Sequence, residues 1–246
     1  MVQSHASGRL YGVGLGPGDP DLITVKSLKI LQSAPVIAYF AKKGRKGHAR
    51  TIAESFLPNG VIEIPLVYPL TVEIAFDDPE YVRALAEFYA KSADLIASHL
   101  QAGRDVALLC EGDPLFYGSF MHAYERLKDR FPVTICPGIT GMSGCWTAAG
   151  MSMTWGDDVL AVVPGTLSRD DLGRRIGLAD ALVIMKLGSN FAKVRDVLIE
   201  AGLADRAVYV ERGTMVDQVV MPLLQKSDDK VPYFSMILVS GQGRRP

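Results

Sequence analysis

Short apolar runs alternate with longer amphipathic segments along most of this chain of 246 residues. The short runs are rich in β-branched residues, as buried strands are, and the longer segments repeat apolar positions at helical spacing. This alternation predicts an α/β fold. The predicted strands cover residues 10–15, 36–40, 61–65, 105–110, 133–136, 159–163, 181–187, 207–211, 216–224 and 233–240.

The clearest helical pattern covers residues 79–100. Asp78 can cap this helix, Pro79 suits the first helical position, and Gly103 lies just past the end. An apolar stripe is expected to face the core. It consists of Val82, Leu85, Tyr89, Ile96 and Leu100.

Further helices are predicted from their apolar spacing, and Thr24 is a suitable N-cap for the first of them. They cover residues 24–33, 48–57, 119–129, 169–176 and 191–201. No helix is predicted between the last two strands, so these strands are expected to form a β-hairpin or meander that closes a second sheet.

Pro137 and Gly138 interrupt the chain directly after the predicted strand that ends at Cys136. Because proline and glycine are typical of connections, we expect a domain boundary here. The sequence therefore predicts an N-terminal α/β domain over 1–136 and a C-terminal α/β domain over 137–246, with antiparallel strands at the end of the latter.

Composition narrows the possible partners. The formal net charge of −1 gives no overall basic field, which argues against a nucleic-acid partner. The three cysteines show no CxxC spacing and the four histidines no metal-ligand spacing, so no disulfide framework and no metal site are expected. The N-terminus does not resemble a signal peptide, and no apolar run approaches the roughly 20 residues of a membrane span. We expect a soluble, cytoplasmic protein.

A loop rich in glycine and proline follows the first predicted strand, over residues 12–20. It does not match the dinucleotide-binding pattern GxGxxG, because Pro17 or Asp19 occupies the place of the third glycine. Its backbone can approach a ligand closely. A tight turn without any ligand explains the spacing equally well.

Six segments resemble, in order, the motifs of the tetrapyrrole methylases, also called class III methyltransferases. These segments are GVGLGPGDPDLIT, EGDPLFYG, CPGITG, VIMKLG, ERGT and FSMI. Other segments, AYFAKKGRKGHARTIAE and MSGCWTAAGM among them, resemble the members that methylate precorrin-2 at C20 in the aerobic pathway of cobalamin biosynthesis. The resemblance extends over nearly the whole chain.

The resemblance implies two α/β domains with S-adenosyl-L-methionine folded into the cleft between them. Asp113 is either a ligand contact or a cap of the following helix, and Thr140 bonds either the amino-acid end of the cofactor or its own backbone. The implied cofactor contacts are Pro17, Glu111, Gly112, Asp113, Phe116, Thr140, Gly141, Met185 or Leu187, Gly213, Ser235 and Met236.

A run of cations without an intervening acid follows the second predicted strand. It can be a solvated surface loop, or it can bind the carboxylates of a polycarboxylate tetrapyrrole. RNA is a rival ligand, but few aromatic residues lie among the cations. The candidate substrate-binding residues are Lys42, Lys43, Arg45, Lys46, His48 and Arg50.

The implied reaction is an in-line attack of the electron-rich C20 carbon on the cofactor methyl group, which depends mainly on alignment. No catalytic residue is assigned. His48, Tyr117 and Glu111 are candidates by location alone, whereas His99 and His122 are expected to be structural. The resemblance also implies a homodimer.

Other functions remain open at this point. Residues 141–145 approach the hydrolase motif GxSxG, but Cys145 replaces its last glycine, and this cysteine is expected to be buried. An oxidoreductase and a non-catalytic tetrapyrrole carrier are alternatives from other classes. Within the family, the rivals are other corrin methylases and methylases of diphthamide precursors or ribosomal RNA.

Overall fold

The computed structural model describes residues 6–69 and 79–243. The chain divides into two compact units, Met1–Thr140 and Gly141–Pro246. Each unit has a sheet with helices packed against it, which confirms the predicted α/β fold. The boundary predicted after Cys136 lies just before this division and stays a prediction.

The first unit is built on a five-stranded sheet in the order β3-β2-β4-β1-β5. Every neighbouring pair of strands is parallel, so all five carboxyl ends lie at one edge of the sheet. The strands are β1 (Leu10–Gly14), β2 (Val36–Ala41), β3 (Ile62–Val67), β4 (Val106–Cys110) and β5 (Val133–Cys136).

Helices cover this sheet, and two buried apolar clusters lie within the unit. The predicted cap of the first helix is confirmed, because Thr24 Oγ1 accepts the Ser27 N–H at 3.1 Å. The helix predicted over 48–57 is shorter, since a 3-10 turn over Glu54–Phe56 follows its fifth residue. The helices are α1 (Val25–Ser33), α2 (His48–Ile52), α3 (Pro79–Gln101) and α4 (Phe120–Leu127).

The buried face of α3 differs from the predicted stripe. Val82 is 54% exposed, whereas Tyr81 is buried. Helical spacing places Tyr81 above Tyr89 on one face and turns Val82 toward solvent. The predicted cap Asp78 lies outside the described residues. The residues of α3 that are buried are Tyr81, Tyr89, Ser92, Ala93, Ile96, Ala97 and Leu100.

The second unit has a mixed five-stranded sheet in the order β6-β7-β10-β8-β9. Only the β6–β7 pair of this sheet is parallel, and the other pairs are antiparallel. The strands are β6 (Leu160–Pro164), β7 (Ala181–Met185), β8 (Ala207–Glu211), β9 (Val219–Pro222) and β10 (Ser235–Val239). The helices of this unit are α5 (Gly141–Ala148), α6 (Arg169–Ile176) and α7 (Phe191–Glu200).

The prediction that the last two strands pair with each other is wrong. β10 lies between β7 and β8, and β9 is an edge strand that pairs with β8. The last three residues of β10 have no exposed surface, as expected of a central strand with both faces covered. β9 alternates half-buried and exposed residues, which suits an edge.

Helix α5 was not predicted, because its sequence GMSGCWTA lacks a polar face and contains two glycines. Among the described residues, no helix is both long enough and apolar enough to cross a membrane.

Candidate functional site

Three glycine backbones meet at the carboxyl edge of the first sheet. The loops after β1 and β4 are joined by a hydrogen bond of 2.8 Å from the Gly112 N–H to the Gly16 carbonyl. A Cβ added to Gly138 would lie 2.0 Å from the Gly112 oxygen, and one added to Gly14 would lie 2.5 Å from the Gly138 nitrogen. Side chains cannot fit here, so this part of the edge is formed by backbone.

Asp113 holds two of these loops together. Its carboxylate accepts the Leu115 N–H at 2.9 Å and the Gly138 N–H at 3.1 Å. It does not cap α4, whose N-cap is Ser119, so the helix-capping interpretation was wrong. The carboxylate instead shapes the loop after β4 and fixes the position of the loop after β5.

The Glu111 carboxylate accepts the Ala49 N–H at 3.0 Å, in the first turn of α2. A negative charge is favourable at this end of a helix. Glu111 therefore connects the loop after β4 to the segment that carries the cations. Phe116 follows in the same loop, and its ring contacts the Tyr117 ring at 4.9 Å between centroids. Pro17 lies in the bend after β1 and is half-buried.

The six predicted substrate-binding residues have different surroundings. Lys42, Lys43 and Arg45 are exposed in a turn that the Arg45 N–H closes by donating to the Lys42 carbonyl at 3.0 Å. Among the described residues, none of these three side chains forms an ion pair. Lys46 pairs with Glu54 at 2.7 Å. His48 is exposed at the start of α2.

Arg50 is part of a half-buried network. It donates to both oxygens of Glu63, at 2.8 Å each, and only 14% of its side chain is exposed. The Tyr39 hydroxyl donates to the same carboxylate at 3.1 Å. The hydrogen bonds from Arg50 lower the pKa of Glu63. Because this carboxylate neutralises Arg50, the cations that remain open to a ligand are those of the turn after β2.

The predicted contacts of the second unit also gather at one edge of its sheet. β10 runs antiparallel to β7 and β8, so its first residues lie beside the ends of those strands, with Ser235 opposite Glu211. Ser235 is 3% exposed and donates to the Pro232 carbonyl at 2.8 Å. Met185 is half-buried at the end of β7, whereas Leu187 packs in the core, so only its backbone can face a ligand.

Helix α5 packs against this edge. A Cβ added to Gly213 would lie 2.8 Å from the Cys145 Cα, and one added to Gly141 would lie 3.2 Å from the Met236 Cε. Thr140 is half-buried and directly precedes this helix. Ser143 is the third residue of α5 and not part of a strand-to-helix elbow, which removes the geometric basis of the hydrolase alternative.

Backbone strain marks the same two edges. Four non-glycine residues among those described have positive φ: Tyr117 (53°), Lys186 (56°), Arg212 (48°) and Thr214 (75°). They follow the ends of β4, β7 and β8. Such conformations cost roughly 1–3 kcal/mol each and concentrate at functional sites. Sequence analysis missed Lys186, Arg212 and Thr214, because none of them is of a type that signals this conformation.

Burial affects the ionisation of two cysteines and of His122. Burial raises the pKa of the Cys145 thiol to about 11, and burial also raises the pKa of the Cys110 thiol. His122 stacks on Tyr89 at 3.9 Å between ring centroids, and burial lowers its pKa. Within residues 6–69 and 79–243, no three side chains of His, Cys, Asp or Glu are grouped so that they could hold a metal ion.

Comparison with known proteins identifies relatives. A family model described as Tetrapyrrole (Corrin/Porphyrin) Methylases matches residues 9–226. A precorrin-2 C(20)-methyltransferase from Sinorhizobium sp is 54% identical over 97% of this chain and 98% of that protein. A cobalt-precorrin-2 C(20)-methyltransferase from Salmonella typhimurium is 29% identical over 96% and 98%. The structure of a uroporphyrin-III C-methyl transferase from Thermus thermophilus complexed with S-adenyl homocysteine has the same fold, with a TM-score of 0.65, 22% identity and coverage of 95% and 92%.

Proposed function

The chain belongs to the family of tetrapyrrole (corrin/porphyrin) methylases, and we propose that it transfers a methyl group from S-adenosylmethionine to C20 of precorrin-2, giving precorrin-3A in cobalamin biosynthesis. We infer the substrate and the methylated carbon from the 54% identity to the Sinorhizobium protein over nearly the full length of both chains. The six motifs of the sequence support the same function. So does the close backbone contact of Gly14, Gly112 and Gly138 at the first sheet, which we call the glycine junction.

The junction suits this cofactor chemically. S-adenosylmethionine supplies a methyl group on a positively charged sulfur, and it has no phosphate that would require a P-loop or a lysine. Carbonyl oxygens of glycine loops can approach such a ligand closely and can accept weak C–H···O contacts. The Gly14, Gly112 and Gly138 backbones offer this kind of surface, since side chains are excluded from it.

We assign cofactor contacts in each unit by their resemblance to the family motifs. In the first unit the backbone of the loops contributes most, because Glu111 and Asp113 already accept backbone N–H groups. In the second unit Leu187 contributes backbone only. The proposed contacts are Pro17, Glu111, Gly112, Asp113, Phe116, Thr140, Gly141, Met185, Leu187, Gly213, Ser235 and Met236.

The exposed turn after β2 is the proposed capture site for the substrate carboxylates. None of the three exposed side chains of Lys42, Lys43 and Arg45 forms an ion pair with a described carboxylate. The turn follows the carboxyl end of β2, which lies next to β4 in the sheet. Lys46, His48 and Arg50 flank it, but Arg50 has its main role in the network with Glu63. A cluster of three cations suits a ligand with several carboxylates.

Little acid–base chemistry is asked of the protein. The C20 carbon is already electron-rich, and the macrocycle nitrogens can lose the compensating proton. The protein then has to align the two reactants and exclude water. No side chain is assigned as a general base, and Glu111 is an unsuitable candidate because its carboxylate holds the start of α2.

The substrate is proposed to be metal-free. The chain is 54% identical to the relative named for precorrin-2 and 29% identical to the one named for cobalt-precorrin-2. We further propose a cytoplasmic homodimer. Three free, buried cysteines suit a reducing compartment, and the dimer follows from family resemblance.

Mass spectrometry of precorrin-2 after incubation with the protein and S-adenosylmethionine tests the reaction, with isotope-labelled methyl and NMR to locate it. One added methyl group at C20 is the expected result. A methyl group at another carbon would indicate a different corrin methylase. No transfer despite binding of both ligands would favour a carrier, and no binding of S-adenosylhomocysteine would overturn the cofactor assignment.

A further inference from the structure

The hydrogen-bond ladder between β1 and β5 stops where their backbones are still in contact. β5 pairs with β1 from Leu10 opposite Val133 onward, and the Leu10 N–H donates to the Pro132 carbonyl at 3.0 Å. Bonds in a parallel ladder recur evenly, every second residue. The bond that would come next after the last paired residues runs from the Gly138 N–H to the Gly14 carbonyl.

Two side chains replace this bond, one for each backbone group. The Ser27 hydroxyl donates to the Gly14 carbonyl at 2.7 Å. The Asp113 carboxylate accepts the Gly138 N–H at 3.1 Å. Both backbone groups are therefore satisfied without a hydrogen bond between them, although the two backbones remain in close contact.

Ser27 is unusual for its place in the fold. Its side chain is polar but has no exposed surface, and it lies on the same buried face of α1 as Ile30 and Leu31. Its Oγ lies 3.2 Å from the Cys136 Sγ, and its N–H donates to Thr24. This one residue thus connects the start of α1 with the ends of β1 and β5. Removing its hydroxyl would leave a buried carbonyl without this donor, which is costly.

We propose that Ser27 is a positioning residue for the binding of S-adenosylmethionine, an inference that rests on the function proposed above. Ser27 is too deeply buried to touch the cofactor. It acts through the Gly14 carbonyl, which it fixes at the point where β1 ends and the loop with Pro17 begins. With the hydroxyl in place, the Gly14 carbonyl is held by Ser27 instead of by β5, and the loop backbone that follows keeps the position from which it can contact the cofactor.

The experiment compares Ser27→Ala with Ser27→Cys and with Ser92→Ala. Cysteine is slightly larger than serine and is only a weak donor. All measurements are made under reducing conditions, because the new thiol would lie beside the Cys136 thiol. Ser92 is a suitable control because it is a buried serine in the middle of α3. Titration calorimetry gives the Kd of S-adenosylhomocysteine, methyl transfer gives KM and kcat, and thermal unfolding gives the stability of each variant.

Ser27→Ala is expected to raise the Kd of S-adenosylhomocysteine and the KM of S-adenosylmethionine about tenfold, with kcat changed less than about twofold. Ser27→Cys should recover part of the affinity. Ser92→Ala should keep the wild-type Kd.

An unchanged Kd in Ser27→Ala would overturn the proposal and leave Ser27 a merely structural residue. If that variant does not fold, Ser27→Cys decides in the same way: weaker binding supports the proposal, and wild-type binding overturns it. A wild-type protein that binds no S-adenosylhomocysteine would instead overturn the proposed function, which is a distinct result.

Discussion

Gly138→Ala should open the glycine junction and weaken both the fold and cofactor binding. The added Cβ would lie 2.0 Å from the Gly112 oxygen and 2.9 Å from the Gly14 Cα. Since non-bonded heavy atoms rest roughly 3.5 Å apart, the backbones must separate by about 1.5 Å. That movement overpacks the junction and breaks the hydrogen bond between the Gly138 N–H and Asp113. The two effects together cost about 3 kcal/mol.

For a chain of this length, about 3 kcal/mol corresponds to a fall in Tm of roughly 6–12 °C. Scanning calorimetry measures the Tm, and titration calorimetry measures the Kd of S-adenosylhomocysteine, which should rise more than about tenfold if half of this cost falls on the binding site. Gly173→Ala is the matched control, because a Cβ there would meet nothing within 4 Å inside α6. It should be neutral or stabilising by about 0.5–1 kcal/mol. A Gly138→Ala protein with the Tm and the Kd of the wild type would refute the reasoning.

Three further outcomes are expected. Arg50→Gln should destabilise the protein by about 1–2 kcal/mol at neutral pH. Arg50 lowers the pKa of Glu63, so this stabilisation is fully present above the ordinary glutamate pKa and is lost as the pH falls through the lowered pKa of Glu63. In urea denaturation, the difference in stability from wild type should therefore shrink below about pH 4. A difference that stays constant down to about pH 3 would contradict this. The Cys145 thiol, with a pKa of about 11, should resist iodoacetamide at pH 8 until the protein is unfolded; rapid labelling of the native protein, detected by peptide mass spectrometry, would contradict its burial. Replacing the three exposed cations of the turn after β2 by glutamine should raise the KM for the tetrapyrrole at least about tenfold at unchanged Tm. These residues are Lys42, Lys43 and Arg45. An unchanged KM would mean that the substrate carboxylates bind elsewhere.

Strands and helices with a regular apolar period were predictable from sequence. β5, α6 and β8 have the predicted bounds, and α1 begins after the cap Thr24. Local information suffices for these elements, since the period and the cap lie within the segment itself. The family motifs were equally accessible, because they are short runs of neighbouring residues.

Helix α5 shows where local patterns fail. Its residues are mostly small or apolar, and Gly144 and Cys145 are buried where the helix packs against β8 and β10. The same limit applies to α3, where Val82 and Tyr81 are both apolar and only the packed structure shows that Tyr81 is buried.

The alternation of strands and helices and the family could be read from the amino-acid sequence alone. Tertiary structure decided the place of β10 between β7 and β8, the pairing of Arg50 with Glu63, and the replacement of a ladder bond by Ser27 and Asp113. The difference lies in the range of the interactions. Capping and periodicity act within one or two helical turns, whereas strand order, ion pairs and buried hydrogen bonds join residues far apart in the chain. These form only when the whole core has closed around them.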